Sequence, residues 1–284
     1  MVKEVVVKRV KAPVRIDFAG GTTDIEPFAS EYGGCVLNAG IDRYVIGKLI
    51  KGTKKVELKY SSNVPTSSGL GTSSVMNLVW LSLISNNKDK KQLAEGVYKL
   101  EQSMGLVGGK QDQYAAAFGG INFIEFSKNN KVKIQRLKLS NDFIRKLENN
   151  LVLVYTGKPH FSGNFNKAMI DNLKKGKTIK NFIEIKNIAR KMKDSLLRKD
   201  LDSFVELMNK ETEQRTQLHS SIAGKSMKDI IRKGFENGAI GAKICGSGGG
   251  GSVLFFTYDR KRLVNKFKDK VIDFKFDFEG LKYL

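Results

Sequence analysis

An α+β fold of two lobes is what this sequence predicts, and three features carry the expectation. Strand-like segments fall into two groups set apart from runs of amphipathic helix, rather than alternating with them one for one. The chain has 284 residues, more than one small core usually organises, and 40% of them are hydrophobic, enough for two intimately packed lobes. No internal repeat divides it into equivalent units.

The first group opens with EVVVKRVKAPVRIDFAG, followed by GGCVLNAGIDRYVIGKLI and KKVELKYS, all rich in β-branched residues. Helices are expected over 73–86 and about 90–104, the second with Leu93, Val97, Leu100 and Met104 on one face. GGINFIEF and the alternating VKIQRLKL complete the group, with polar linkers at 127–131 and 141–150. The first lobe is therefore drawn over residues 1–150 and the second over 151–284. The second begins with the apolar strand NLVLVYTG and runs through helices near 163–175, 179–198, 200–217 and 226–236. The strand–turn–strand GAKICGSGGGGSVLFFTY, a lysine-rich helix and a final alternating strand, VIDFKFDF, close the chain.

Composition excludes several functions. The formal charge of +21 could suit an anionic polymer, but the lysines of KDKKQ, NLKKGKTIK, RKMKD and DRKRLVNKFKDK are mixed with acids and lack interleaved aromatics. They read as solvated helix faces, so no nucleic-acid partner is expected. The longest apolar run, LVWLSLI at 78–84, is too short to span a bilayer, and the N-terminus does not read as a signal peptide. No membrane partner and a cytoplasmic location are expected. Cys35 and Cys245 belong to no metal or redox spacing and read as free buried thiols, and His160 and His219 are too few for a histidine zinc site.

Two glycine patterns are misleading. GSGGGG at 246–251 fits G-x-G-x-x-G formally, yet an apolar strand follows where a dinucleotide fold needs a helix. GLVGGKQ at 105–111 is one residue short between its glycines for a Walker loop and has Gln111 where Ser or Thr must stand. Neither a Rossmann site nor a P-loop is expected.

VPTSSGLGTSSVMNL at 64–78 is different, because two glycines and a cluster of hydroxyls lead directly into an apolar helix. Gly69 and Gly71 permit backbone torsions closed to other residues, and Thr72, Ser73 and Ser74 are types that cap a helix starting near Val75. A helix N-terminus also attracts anions, phosphate above all. Capping and phosphate binding use the same residue types, so these residues alone leave both readings open.

PTSSGLGTSSV resembles the phosphate-loop signature of the GHMP kinases, the superfamily of galactokinase, homoserine kinase, mevalonate kinase and phosphomevalonate kinase. APVRIDFAGGTTDI at 12–25 resembles the family's N-terminal substrate motif, and GAKICGSGGGGSVLFF at 241–256 its C-terminal glycine motif. Within the superfamily, FAGGTTDI, EYGGCVLNAGIDRY and GGKQDQYAAAFGGIN are most similar to D-glycero-D-manno-heptose 7-phosphate kinases, relatives of fucokinase-type sugar kinases. The resemblance implies a ribosomal protein S5 domain 2-like first lobe and a ferredoxin-like second lobe. It also implies an ATP- and Mg2+-dependent kinase acting on a sugar or sugar phosphate, as a monomer or homodimer, with the anomeric hydroxyl as acceptor.

The resemblance assigns roles residue by residue. Pro65, Ser67, Ser68, Gly69, Leu70, Gly71, Thr72, Ser73 and Ser74 would surround the ATP phosphates, with Ser73 also a magnesium ligand. Glu101 would be the second magnesium ligand, and its inward place one turn after Val97 independently calls for a cation or a donor. Asp112, 11 residues on, would take the acceptor proton or hold that hydroxyl in line with the γ-phosphate, where a bare reading offers only a helix cap. Arg15 would set a positive charge beside the reacting hydroxyl. Asp24 would clamp sugar hydroxyls, with Gly21, Thr22, Gly248 and Gly249 also around the substrate. Lys110 contacts phosphate or faces solvent. Where the heptose phosphate kinases carry an Arg after YTG, this chain has Lys158 and His160, so a neutral hexose or 6-deoxyhexose stays open as acceptor. Mevalonate- or homoserine-type acceptors and a non-catalytic sugar- and ATP-binding regulator are the alternatives.

Overall fold

The computed structural model describes residues 6–52, 55–157 and 162–284, apart from the side chains of residues 162–164. The chain runs through β1 (Val6–Ala19), α1 (Phe28–Tyr32), β2 (Gly34–Lys51), β3 (Val56–Ser62), α2 (Thr72–Ile84), α3 (Lys90–Ser103), α4 (Gln111–Phe118), β4 (Ile121–Phe126), β5 (Val132–Arg136) and α5 (Asn141–Asn150). It continues through β6 (Leu151–Tyr155), α6 (Ser162–Lys174), α7 (Ile179–Arg198), α8 (Leu201–Thr216), α9 (Lys225–Glu236), β7 (Ala239–Ile244), β8 (Ser252–Thr257), α10 (Arg260–Phe267), β9 (Val271–Ile272) and β10 (Lys282–Tyr283). Strands grouped in two antiparallel sheets, with helices packed against them, make this the expected α+β fold.

The first sheet has the order β10-β1-β2-β4-β5, with β3 paired to β2 beside that path. With β1 along one edge, the long β2 serves two further partners in turn along the other, pairing with β4 through residues 34–39 and with β3 through 45–51. From Ala12 to Ala19 every residue of β1 is buried, so that stretch is covered on both faces. Helix α7 packs on the first core through Ile188, Ala189 and Met192, while its Phe182 and Ile185 enter the core of the second sheet. That second sheet has the order β7-β8-β6-β9. No helix among the described residues is long and apolar enough to cross a membrane.

Three sequence expectations need correction. Residues 141–150, expected as a linker, form α5, which buries Phe143 and Leu147 on one face. The stretch 127–131 is a hairpin turn between β4 and β5, closed by Ser127 N donating to Lys131 O over 2.9 Å. VIDFKFDF is not one strand: only Val271–Ile272 pairs with β6, after which Phe276 bridges to Ile41 of β2 and β10 pairs with β1. The carboxylate of Asp277 turns the chain there, accepting from Gly280 N (2.7 Å) and Tyr44 OH (2.9 Å). The last residues thus return to the first sheet. The free thiols Cys35 and Cys245 are both buried, as expected.

Candidate active site

A cavity of about 340 Å³ opens beside β1. Its walls come from β1, the turn after it, the hydroxyl-rich loop with the first turn of α2, the end of α3 and the start of α4, plus Asn166, Arg215, Gly246 and Ser247.

The hydroxyl-rich loop gets its shape from glycine. Gly69 and Gly71 have φ of 77° and 75°, left-handed torsions that suit glycine. Gly71 is the N-cap of α2 and no side chain caps the helix. Thr72, Ser73 and Ser74 are therefore its first helical residues and not its caps, which corrects the capping alternative. All three residues line the cavity, and the first turn of α2 has no side-chain cap, so an anion is favoured there. The segment joining β7 to β8 braces this loop: Ser252 Oγ, at the start of β8, donates to Ser68 O over 2.8 Å, and a Cβ at Gly246 would lie 2.9 Å from Gly69 O.

Arg15 ties the loop to α4. Its Nε donates to Asp112 Oδ1 at 2.7 Å, its Nη2 lies 2.7 Å from the same oxygen, and its Nη1 donates to Gly69 O at 2.6 Å. Burial alone would lower the Arg15 pKa, but Asp112 and Asp17 raise it above the usual arginine value. Asp112 is not a cap either, because the N-cap of α4 is Lys110 and no side chain caps that helix. Its carboxylate faces the cavity beside Gly71, where a Cβ would approach Asp112 Oδ2 to 3.0 Å.

Glu101 and Asp24 are buried carboxylates lining the same cavity. Glu101 accepts from Asn77 Nδ2 (3.0 Å) and Gln113 Nε2 (2.5 Å), neutral donors both, and burial pushes its carboxyl above the ordinary value. Asp24 Oδ2 accepts from Gln111 N at 2.9 Å, while Oδ1 has no partner. Burial raises the Asp24 pKa to about 6. Gly109 makes room for it, since a Cβ there would sit 1.9 Å from Asp24 Oδ2.

Of the residues singled out from the sequence, Arg15, Gly21, Thr22, Asp24, Ser67, Ser68, Gly69, Gly71, Thr72, Ser73, Ser74, Glu101 and Asp112 line the cavity. Four do not. Pro65 is exposed ahead of the loop, and Leu70 is a core side chain whose carbonyl accepts from Arg15 N. Gly248 and Gly249 pack against Ile222 and Phe165 instead, and Gly246 and Ser247 take the cavity wall. Lys110 neither faces solvent nor reaches the cavity: it is buried, with Nζ 3.0 Å from Glu95 Oε2. Lys158 and His160 lie outside the described residues.

The sequence reading missed a charge cluster behind Arg15. Asp17, Glu211, Arg215 and Lys243 are all fully buried or nearly so. Lys243 Nζ lies 3.1 Å from Asp17 and 3.3 Å from Glu211, and Arg215 Nη2 lies 2.6 Å from Glu211 and 3.7 Å from Asp17. Against the cost of burial, Lys243, Arg215 and Arg15 hold the Asp17 carboxyl below its ordinary value. The only hint in the sequence was the i, i+4 pair Glu211 and Arg215, a spacing that surface helices share.

Buried polar atoms without a hydrogen-bond partner gather here: Thr22 Oγ1, Asp24 Oδ1, Ser68 Oγ, Thr72 Oγ1, Gln111 Oε1 and Ser247 Oγ all belong to cavity-lining residues. Each such atom costs about 1–3 kcal/mol unless something pairs with it. Their concentration fits a polar ligand with many oxygens.

Known proteins share this architecture. The GHMP kinases N terminal domain matches residues 38–120, and the GHMP kinases C terminal domain matches residues 192–275. The chain is 29% identical to D-glycero-alpha-D-manno-heptose 7-phosphate kinase of Campylobacter jejuni, over 96% of this chain and 98% of that protein. It is 24% identical to the bifunctional fucokinase/GDP-fucose pyrophosphorylase of Arabidopsis thaliana, covering 89% of this chain and 30% of that longer protein. In fold it is similar to a D-glycero-D-manno-heptose 1-phosphate kinase from Bacteroides thetaiotaomicron (TM-score 0.80, 23% identity, 98% of this chain and 99% of that one). It is also similar to Lactococcus lactis galactokinase complexed with galactose (TM-score 0.73, 17% identity, 100% and 95%). Both halves of one family's architecture are present in one chain and in the family's order, and the chain belongs to the GHMP kinases.

Proposed function

We propose that this chain is an ATP- and Mg2+-dependent kinase of the cytoplasm that transfers the γ-phosphate to the anomeric hydroxyl of a sugar or sugar phosphate. The observation that carries the reading is the Arg15–Asp112 pair, set in the cavity beside the glycine-shaped hydroxyl loop. The sugar assignment is supported by the heptose phosphate kinase and fucokinase relatives and by Asp24, whose free oxygen suits a hydroxyl donor.

Nucleotide phosphates would lie along Ser67–Ser74, held by loop N–H groups and the N-terminus of α2. Ser73 and Glu101 would hold magnesium, and they fit it: Glu101 is a buried carboxylate served only by neutral donors, and one carboxylate plus substrate phosphates is a usual magnesium set. Bound there, the ion would neutralise charge developing on the phosphates. Asp24 would orient the acceptor through hydroxyls that donate to its free oxygen. Asp112 would take the acceptor proton on Oδ2, since both Arg15 contacts go to Oδ1. The acceptor oxygen forms the new bond to the γ-phosphorus as the bond from that phosphorus to the β,γ-bridging oxygen breaks, and ADP leaves. Arg15 keeps a positive charge beside the reacting oxygen and fixes the carboxylate.

The test is ADP release with ATP and magnesium over a panel of acceptors: D-glycero-D-manno-heptose 7-phosphate, fucose, galactose, mannose, N-acetylhexosamines, mevalonate and homoserine. Turnover of a sugar upholds the reading, and preference for mevalonate or homoserine moves the acceptor class. ADP release no higher than background with every acceptor sinks it.

A further inference from the structure

We infer that Arg215 is a positioning residue for the acceptor: it holds the turn over Gly21–Asp24 in the conformation that presents the Thr22 hydroxyl to the cavity. The inference rests on the phosphotransfer reading above and adds a residue that no motif in the sequence marked.

Thr22 has φ of 78°, a left-handed torsion that is a true outlier for a β-branched residue. Its side chain gains nothing visible in return, because Oγ1 is buried in the cavity wall with no protein partner. Strain of this kind persists only where the surroundings over-determine it, and it gathers at ligand sites. On one side Thr23 fixes the turn: its Oγ1 lies 2.7 and 3.0 Å from the carbonyls of Gly20 and Cys35 and accepts from Cys35 N at 3.1 Å. On the other side Arg215 Nη2 donates to Gly21 O at 2.8 Å. Gly21 sits so close to the charge cluster that a Cβ would meet Asp17 Oδ2 at 2.6 Å.

The cluster also reaches the opposite cavity wall. Arg215 Nη1 donates to Gly246 O at 3.3 Å, and Gly246 N donates to Asp17 Oδ1 at 3.3 Å. One guanidinium thereby joins the acceptor turn of the first sheet to the glycine loop of the second, while Glu211 anchors it through Nε and Nη2. Four buried charges are seldom the most stable filling for a core, since well-packed apolar residues often do as well or better. What this set supplies is a fixed fork with several donors in one plane. A lysine, with a single ammonium point, cannot span both carbonyls.

The test uses the full chain with Arg215→Lys. The variant is expected to raise the acceptor KM roughly tenfold or more, with kcat and the Kd of a non-hydrolysable ATP analogue each within about threefold. Without any ligand, hydrogen exchange at the amides of Thr23 and Ile25, which close the turn onto Gly20 O and Thr22 O, is expected to speed up at least roughly tenfold. Unchanged exchange and KM, or nucleotide affinity lost in step with acceptor affinity, overturns the inference. The exchange arm needs no turnover, so a chain that phosphorylates none of the acceptors defeats the kinase reading while this one is still decided. Should Arg215→Lys not fold, Thr22→Gly and Thr22→Asn carry the test. Glycine accepts the torsion but loses the hydroxyl, so it should keep or raise Tm while raising the acceptor KM roughly tenfold. Asparagine, which tolerates the torsion and keeps a polar group, should recover part of that loss. A wild-type KM in Thr22→Gly contradicts the inference.

Discussion

Arg15 and Asp112, 97 residues apart in sequence, meet at 2.7 Å, and the same guanidinium holds the Gly69 carbonyl at 2.6 Å. One side chain on a buried strand thus fixes both the carboxylate and the hydroxyl-rich loop. Arg15→Lys keeps the charge but cannot hold both acceptors, Asp112 Oδ1 and Gly69 O, in the same fork geometry. It should lower stability by about 1–3 kcal/mol, through lost bonds to a charged group, and reduce kcat more than it weakens acceptor binding. Thermal melts and steady-state kinetics check both, and an unperturbed kcat would remove Arg15 from the site.

Ser73 separates ligand binding from helix capping. Because Gly71 occupies the N-cap, Ser73→Ala removes no cap and should shift stability by less than about 0.5 kcal/mol. The activity should fall with a higher magnesium requirement. A variant that loses about 1 kcal/mol and keeps full activity would return Ser73 to a structural part.

Glu101→Gln keeps hydrogen-bonding capacity next to Asn77 and Gln113 and removes the charge. The apparent magnesium affinity in the activity assay should fall by about 10–100-fold or more. Stability should hold or rise at neutral pH: the folded pKa lies above its unfolded value, so ionisation of Glu101 costs stability as pH climbs through that window. An unchanged magnesium titration rules Glu101 out as a ligand.

On the proposed acceptor role, Asp24 would tie recognition to pH. Its folded pKa of about 6 lies above the ordinary 3.8. The native state therefore binds that proton more tightly, and the stability it contributes is present below pH 3.8 and lost as pH rises through about 6. If the ionised carboxylate receives the acceptor hydroxyls, kcat/KM for the acceptor should drop below about pH 6 on a single ionisation. Asp24→Asn should lower the plateau, abolish that ionisation and melt no lower than wild type at pH 7. Persistence of the same ionisation in Asp24→Asn assigns it elsewhere.

What the sequence could show depended on how local each signal was. The hydroxyl loop, Glu101 and Asp112 were legible because each sits in a short segment that resembles a family motif, and the structure gathers them around one cavity. Whether Thr72 and Ser73 cap α2 was not legible, because Gly71 decides it through a left-handed torsion that no neighbouring residue announces. Lys110 beside Asp112 gave no sign of Glu95, 15 residues back, which takes its charge. The cluster of Asp17, Glu211, Arg215 and Lys243 was invisible for the same reason: its members are spread over 226 residues and meet only when β1, α8 and β7 pack. The strand reading of VIDFKFDF failed because its alternation reports two partly covered faces, while the partners change from one sheet to the other along its length.

The central claim is that Asp112 acts in phosphoryl transfer, and Asp112→Asn tests it most directly. Rapid-quench measurement of the transfer step should be paired with the Kd of ATP, using the acceptor that wild type turns over fastest. The amide keeps an oxygen for Arg15 but not the charge or the proton affinity, so the transfer rate should fall about 10²–10⁴-fold while the ATP Kd changes by less than about threefold. Some stability, about 1–3 kcal/mol, should go with the broken ion pair. A folded Asp112→Asn enzyme that transfers phosphate at the wild-type rate would contradict the account.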